Sequence, residues 1–224
     1  LEIMVLSKAE TESSDKKNTG RDIKDENKDQ QNDAVALLTH DNLIKQPLRN
    51  KWTLWYLQID RSKSWEENQN ELTSFDTVED FWSLYSHIKL PSEIEHGSHY
   101  SLFKKGIRPM WEDEANIKGG CWRITLVRRR HDLDNIWLDV LLCLIGESFE
   151  HSDQICGAVV NSRNNVDKIS IWTANGQNQE AVMEIGRKLK ESLRMESKKL
   201  SLQYHLHKDT MIPPGSAIKA TYTL

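Results

Sequence analysis

The sequence predicts an α+β domain, a mostly antiparallel sheet with helices on one face. Three observations predict it. Several strand-like segments are joined by links too short for parallel crossovers, as between Asn161 and Lys168, and such links require antiparallel neighbours. Three segments carry apolar residues at helical spacing, each opened by its own cap signal. Residues 1–40 hold six Lys/Arg against nine Asp/Glu and no aromatic residue, so they cannot bury enough surface to offset their ordering entropy. Residues 1–40 are therefore expected to be a disordered polar tail, and residues 41–224 one domain large enough for a core.

The elements follow in order. Lys51 to Ile59 reads as a strand rich in aromatic and aliphatic side chains. A polar loop over about 60–74 follows. Asp76 with Glu79 gives a capping-box-like start, and Val78, Phe81, Trp82, Tyr85 and Ile88 follow at helical spacing until Pro91 and Gly97. Tyr100 to Lys104 alternates as a strand. Gly119-Gly120 marks a turn before the strand Cys121 to Val127. Asp132 or Asp134 caps a second helix through Ile136, Trp137, Val140, Leu141, Leu144 and Ile145, closed by Gly146. Ile155–Asn161 and Lys168–Thr173 form a hairpin-like pair. Asn178 opens a third helix through Val182, Ile185, Leu189 and Leu193. Leu200 to Leu206 and Ala217 to Leu224 read as strands flanking the loop Pro213-Pro214-Gly215.

Charge narrows the function classes. Of 30 basic and 34 acidic residues, the domain holds 24 and 25. A broad nucleic-acid footprint is therefore absent, and any nucleic-acid contact must be local. Cys121, Cys143 and Cys156 lie among apolar neighbours at no metal-like spacing. Reduced, buried thiols in the cytosol or nucleus are expected. No apolar run reaches membrane-spanning length, and the first residues lack a signal-peptide pattern. There is no nucleotide-binding glycine loop, no metal-ligand cluster and no nucleophile–base pair, so neither an enzyme nor a cofactor is expected.

The tryptophans carry the positive signal. Trp65 lies in Arg61-Ser62-Lys63-Ser64-Trp65-Glu66-Glu67-Asn68, and Trp111 in Arg108-Pro109-Met110-Trp111-Glu112-Asp113-Glu114. Large aromatics in charged, irregular segments are poorly explained by core packing and well explained by a flat ligand that stacks. A carboxylate beside them can accept hydrogen bonds from a purine edge. That combination suggests a cationic or electron-poor nucleobase. Trp52, Trp55, Trp122 and Trp137 read as core or partly covered rings.

Several segments, in order, resemble the eukaryotic translation initiation factor 4E family, the messenger-RNA cap-binding proteins. They are Lys51–Trp55, Phe75–Trp82, Tyr100–Phe103, Pro109–Glu114, Leu141–Glu147, Cys156–Asn161 and Lys168–Thr173. The resemblance covers about 44–224. It implies a curved sheet with three helices on its convex face and the cap on its concave face. It implies that Trp65 and Trp111 sandwich 7-methylguanine, that Glu112 accepts from the guanine edge, that Trp172 packs near the methyl group, and that Arg163 and Lys168 pair with the triphosphate. It further implies a dorsal surface of Pro47, Val78, Trp82, Leu138, Asp139 and Leu142. That surface would receive a helix from initiation factor 4G or from inhibitory 4E-binding proteins. The implied role is to hold capped mRNA as a cytoplasmic monomer and recruit 4G; the alternative is a cap-binding repressor that does not recruit it.

The sequence departs from the family pattern in four places. Gln46-Pro47-Leu48 stands for His-Pro-Leu, Asp139 for Glu, Cys121 for a commonly basic residue, and Pro213-Pro214 for a loop that usually offers a Lys. Loss of two cations implies weaker phosphate binding with base recognition intact.

Overall fold

In the computed structural model of the 224-residue chain, residues 45–60, 62–64, 66–127, 132–163, 166–198, 200–210 and 219–224 are described. The expected tail over 1–40, Trp65 and Pro213-Pro214 lie outside them. The described residues divide into two compact units, one of 45–47 with Thr77–Ile88, the other of Leu48–Asp76 with Lys89–Leu224.

An eight-stranded sheet runs β2-β1-β3-β5-β6-β4-β7-β8. Its strands are β1 (Pro47–Leu57), β2 (Gln69–Thr77), β3 (His99–Lys104), β4 (Gly120–Val127), β5 (Ile155–Asn161), β6 (Val166–Thr173), β7 (Leu202–Leu206) and β8 (Tyr222–Thr223). The registered pairings are antiparallel, as the short links require. Two strand expectations change. Residues 69–74, expected in a loop, belong to the edge strand β2, in which Phe75 alone is buried. An edge strand wetted on both faces carries no apolar alternation to read. The closing strand is only Tyr222–Thr223 among the described residues.

Directly opposed residues share a sheet face, which sorts the side chains. Leu102, Ala158, Ile171 and Trp122 are in register and all buried. Helix α2 (Leu133–Ile145) and helix α3 (Gln179–Ser192) are capped by Asp132 and Asn178, whose side chains accept from the N–H of Asn135 and of Ala181, each at 3.2 Å. The Trp122 indole donates to the Val182 carbonyl of α3 at 2.8 Å. That contact has a steric partner: a Cβ added at Gly186 would lie 2.3 Å from the Trp122 ring, so only glycine lets α3 approach so closely. Two one-turn helices, α4 (Met195–Lys198) and α5 (His207–Thr210), are too short to show a period in sequence.

In the other unit, helix α1 spans Val78–Tyr85. Its cap is Thr77 and not the expected Asp76; the Thr77 hydroxyl accepts from the Asp80 N–H at 3.2 Å. Glu79 reaches back to the Gln46 N–H at 2.9 Å, and Lys45 pairs with Asp80 at 2.8 Å. Phe81 is buried and stacks on Tyr85, with centroids 5.8 Å apart. Trp82 remains 43% exposed, too open for a core role.

Candidate nucleotide-binding site

The site is built on the sheet face opposite Trp122. Three rows cross it. Phe103, Gly157, Trp172, Cys121 and His205 form the first; Ser101, Val159, Ser170, Arg123 and Gln203 the second; His99, Asn161, Lys168 and Thr125 the third. Trp172 and Lys168 are four residues apart on β6, so they lie on this same face. Trp172 is half-buried. Its ring meets Phe103 edge-on at 5.4 Å and the His207 imidazole at 4.2 Å.

The segment carrying Trp111 docks on this face. Its flanking Ile107 and Ala115 pack with Trp172 against Phe103, Cys156 and Val159. The segment is irregular but fixed. Asn116, fully buried, donates to the carbonyls of Arg108 and Met110 at 2.9 and 2.8 Å. Asp113 accepts from the N–H of Arg108 and of Ala115, both at 3.0 Å. Gln69 of β2 donates to the Pro109 carbonyl at 3.2 Å. These bonds hold Trp111 at 41% exposure and leave Glu112 exposed beside it. An indole held out to water by buried polar bonds is preorganised for a partner. Asp113 and Asn116 were not legible as positioning residues, because their partners lie in the backbone of the same loop.

At the far end of β6 the site turns cationic. The Arg163 backbone N–H donates to the buried Asp167 carboxylate at 2.8 Å. Burial lowers the Lys168 ammonium below its usual range, with Arg123 and then Arg163 adding like-charge repulsion. Three cations therefore share one end of the face, a pattern that favours an anionic ligand. Of the expected ligand residues, Trp172 and Lys168 are brought to one face and Arg163 to its edge, while Trp111 and Glu112 are exposed on the segment whose flanks pack with Trp172. Trp65 lies outside the described residues. Arg123 was not foreseen, because which cation it neighbours depends on strand register.

Cys121 is one of the thiols expected to be buried. It is 4% exposed, opposite Trp172 and His205. Burial raises all three thiols, Cys156 to about 12, so these cysteines are inert as nucleophiles near neutral pH. Among the described residues no His/Cys/Asp/Glu group could hold a metal, and no helix is long and apolar enough to cross a membrane.

Two histidines frame the site, and both are pushed down to about 4. Burial is the larger cause in each; Arg163 adds to it at His99 and Arg123 at His207. Unfolded, each would titrate near 6.5. The unfolded chain thus binds more protons between these values, so stability falls as pH drops from about 6.5 to about 4. Thermal unfolding across that window should show the decline. The His99→Gln, His207→Gln double variant should flatten it, and an unchanged slope would remove both rings as its source.

The dorsal residues divide between the units. Pro47, Val78 and Trp82 belong to one. Leu138, Asp139 and Leu142 lie on α2 of the other, clear of its buried positions, with Leu142 38% exposed and Asp139 paired to Lys198 at 3.6 Å.

Comparison with known proteins follows the same lines. The family profile described as Eukaryotic initiation factor 4E matches residues 47–221. The chain is 68% identical over 185 residues to eukaryotic translation initiation factor 4E1 of Drosophila melanogaster, covering 82% of this chain and 71% of that protein. It is 51% identical over 203 residues to the human eukaryotic translation initiation factor 4E, covering 89% and 92%. Among solved structures, Ascaris suum eIF4E-3 with an m2,2,7G cap superposes with a TM-score of 0.75 at 43% identity, covering 81% of this chain and 99% of that one. C. elegans eIF4E-3 with the 4E-binding protein Mextli and a cap analog gives 0.73 at 42% identity, covering 80% and 99%.

Proposed function

The chain belongs to the eukaryotic initiation factor 4E family, and from that premise we propose that it binds the 7-methylguanosine cap of mRNA and recruits a helical partner to start translation. The observation that carries this reading is Trp111, an exposed indole fixed by Asp113 and Asn116 with Glu112 beside it. Methylation gives the guanine a positive charge. Stacked on an indole, that charge contributes a cation–π attraction of up to about 2 kcal/mol when desolvated. Trp111 supplies one ring and Trp65 the other. Glu112 accepts from the guanine amide and amino N–H groups, and such charge-assisted bonds contribute roughly 1.5–3 kcal/mol each. Trp172 packs near the methyl group. Arg163 and Lys168 take the phosphates. The protein acts by binding, as a cytoplasmic monomer, and no covalent chemistry is assigned to it.

The partners are initiation factor 4G and 4E-binding proteins. Val78 and Trp82 share one face of α1, while Leu138 and Leu142 share one face of α2 with Asp139 close by. Each is an apolar stripe of the kind that receives an amphipathic helix. The test is retention on 7-methylguanosine resin together with a helix derived from 4G or a 4E-binding protein. Trp82→Ala should lose the helix, by more than tenfold for an interface aromatic, and keep the resin. Loss of both would mean that the substitution unfolds the protein; loss of neither would remove Trp82 from the partner surface.

A further inference from the structure

We propose that Arg123 is a third phosphate-binding cation of this site, gripping the anionic chain that follows the methylated base. The inference rests on the cap-binding reading and deepens it. Arg123 sits in the middle row of that face, directly opposite the buried Ser170 of β6 and the exposed Gln203 of β7. The residue opposite Ser170's neighbour two places back is Thr125, paired with Lys168. Arg123 and Lys168 are therefore diagonal cross-strand neighbours on one face, within reach of long side chains. Arg123 is half-buried, with its guanidinium against the Cys121 thiol.

The charge environment agrees. The Arg123 guanidinium acts on Lys168, His205 and His207, in each case against the protonated form. Of these, the His207 ring lies on Trp172. Arg123 thus stands between the ring that faces the base and the two cations at the end of β6. Asp209 opposes this at His205, while at Lys168 burial is joined by Arg123 and Arg163. Cys121, one row back, is buried and uncharged. The cation expected there from the family is instead supplied two residues along the same strand face.

The test is isothermal titration of wild type, Arg123→Gln and Arg123→Lys with 7-methylguanosine, 7-methyl-GTP and GTP, each at two salt concentrations. Arg123→Gln should weaken 7-methyl-GTP about two- to fivefold, the range of a partly exposed ion pair. It should leave the bare nucleoside unchanged and make triphosphate binding less salt-dependent. Arg123→Lys should retain most of the affinity. Equal weakening of nucleoside and triphosphate would overturn the proposal in favour of a packing role through Trp172 and His207. No change for either ligand would overturn it outright. Failure of the cap reading looks different: wild type would bind GTP as well as 7-methyl-GTP. A weakening of both triphosphates by Arg123→Gln would even then support the phosphate contact.

Discussion

Trp111→Ala abolishes retention on 7-methylguanosine resin while the thermal unfolding transition stays within a few degrees of wild type. Both halves of this expectation come from the structure. The indole is 41% exposed, so removing it creates no core cavity, and surface substitutions of this kind usually change stability by less than about 0.5 kcal/mol. The loop's own bonds run through Asn116, Asp113 and the backbone, none of which the substitution touches. Binding, by contrast, loses a whole stacking surface. Each such partner contributes about 1–3 kcal/mol by alanine substitution. A variant that folds and is retained like wild type would remove the ring from the site. Asn116→Ala offers a contrast, since it frees two carbonyls of the loop and should weaken binding by letting Trp111 wander.

The second large effect concerns the carboxylate. Glu112→Gln is expected to weaken binding of 7-methyl-GTP by about 1–3 kcal/mol, roughly five- to 150-fold. Glutamine keeps one acceptor but turns an N–H donor toward a guanine donor. In water such a mismatch costs little, but against a base stacked between rings it leaves two donors unpaired. Glu114→Gln, two residues away, should change affinity by less than a factor of about two. Titration of both variants checks the assignment, and the reverse ranking would show that the wrong carboxylate faces the base.

How much of this was legible in the sequence depends on what each residue's role requires. Central strands such as β4, β5 and β6 were readable, because buried apolar side chains dominate them. The edge strand β2 was not, since Phe75 is its single buried side chain. The cap of α1 slipped by one residue, because Asp76 and Thr77 are both competent N-cap residues and backbone geometry chose Thr77. Trp111 and Glu112 stood out, since an aromatic in a charged, irregular segment conflicts with its local context. Arg123 did not, because a basic residue in an alternating strand reads as an ordinary solvated face. Its meaning emerges only when register sets it diagonally from Lys168 on the face of Trp172. Asn116 was silent for a similar reason: its work is to satisfy two backbone carbonyls that no sequence pattern reveals.

The central claim is that the site recognises the charge of a methylated guanine by stacking. The two ligands 7-methyl-GTP and GTP share their phosphates and their hydrogen-bonding edge, and differ in one methyl group and one positive charge. Calorimetric titration of both against the same protein therefore isolates the claim. Tighter binding of 7-methyl-GTP by at least tenfold is the predicted result, in keeping with a cation–π contribution of up to about 2 kcal/mol. Equal dissociation constants would contradict it.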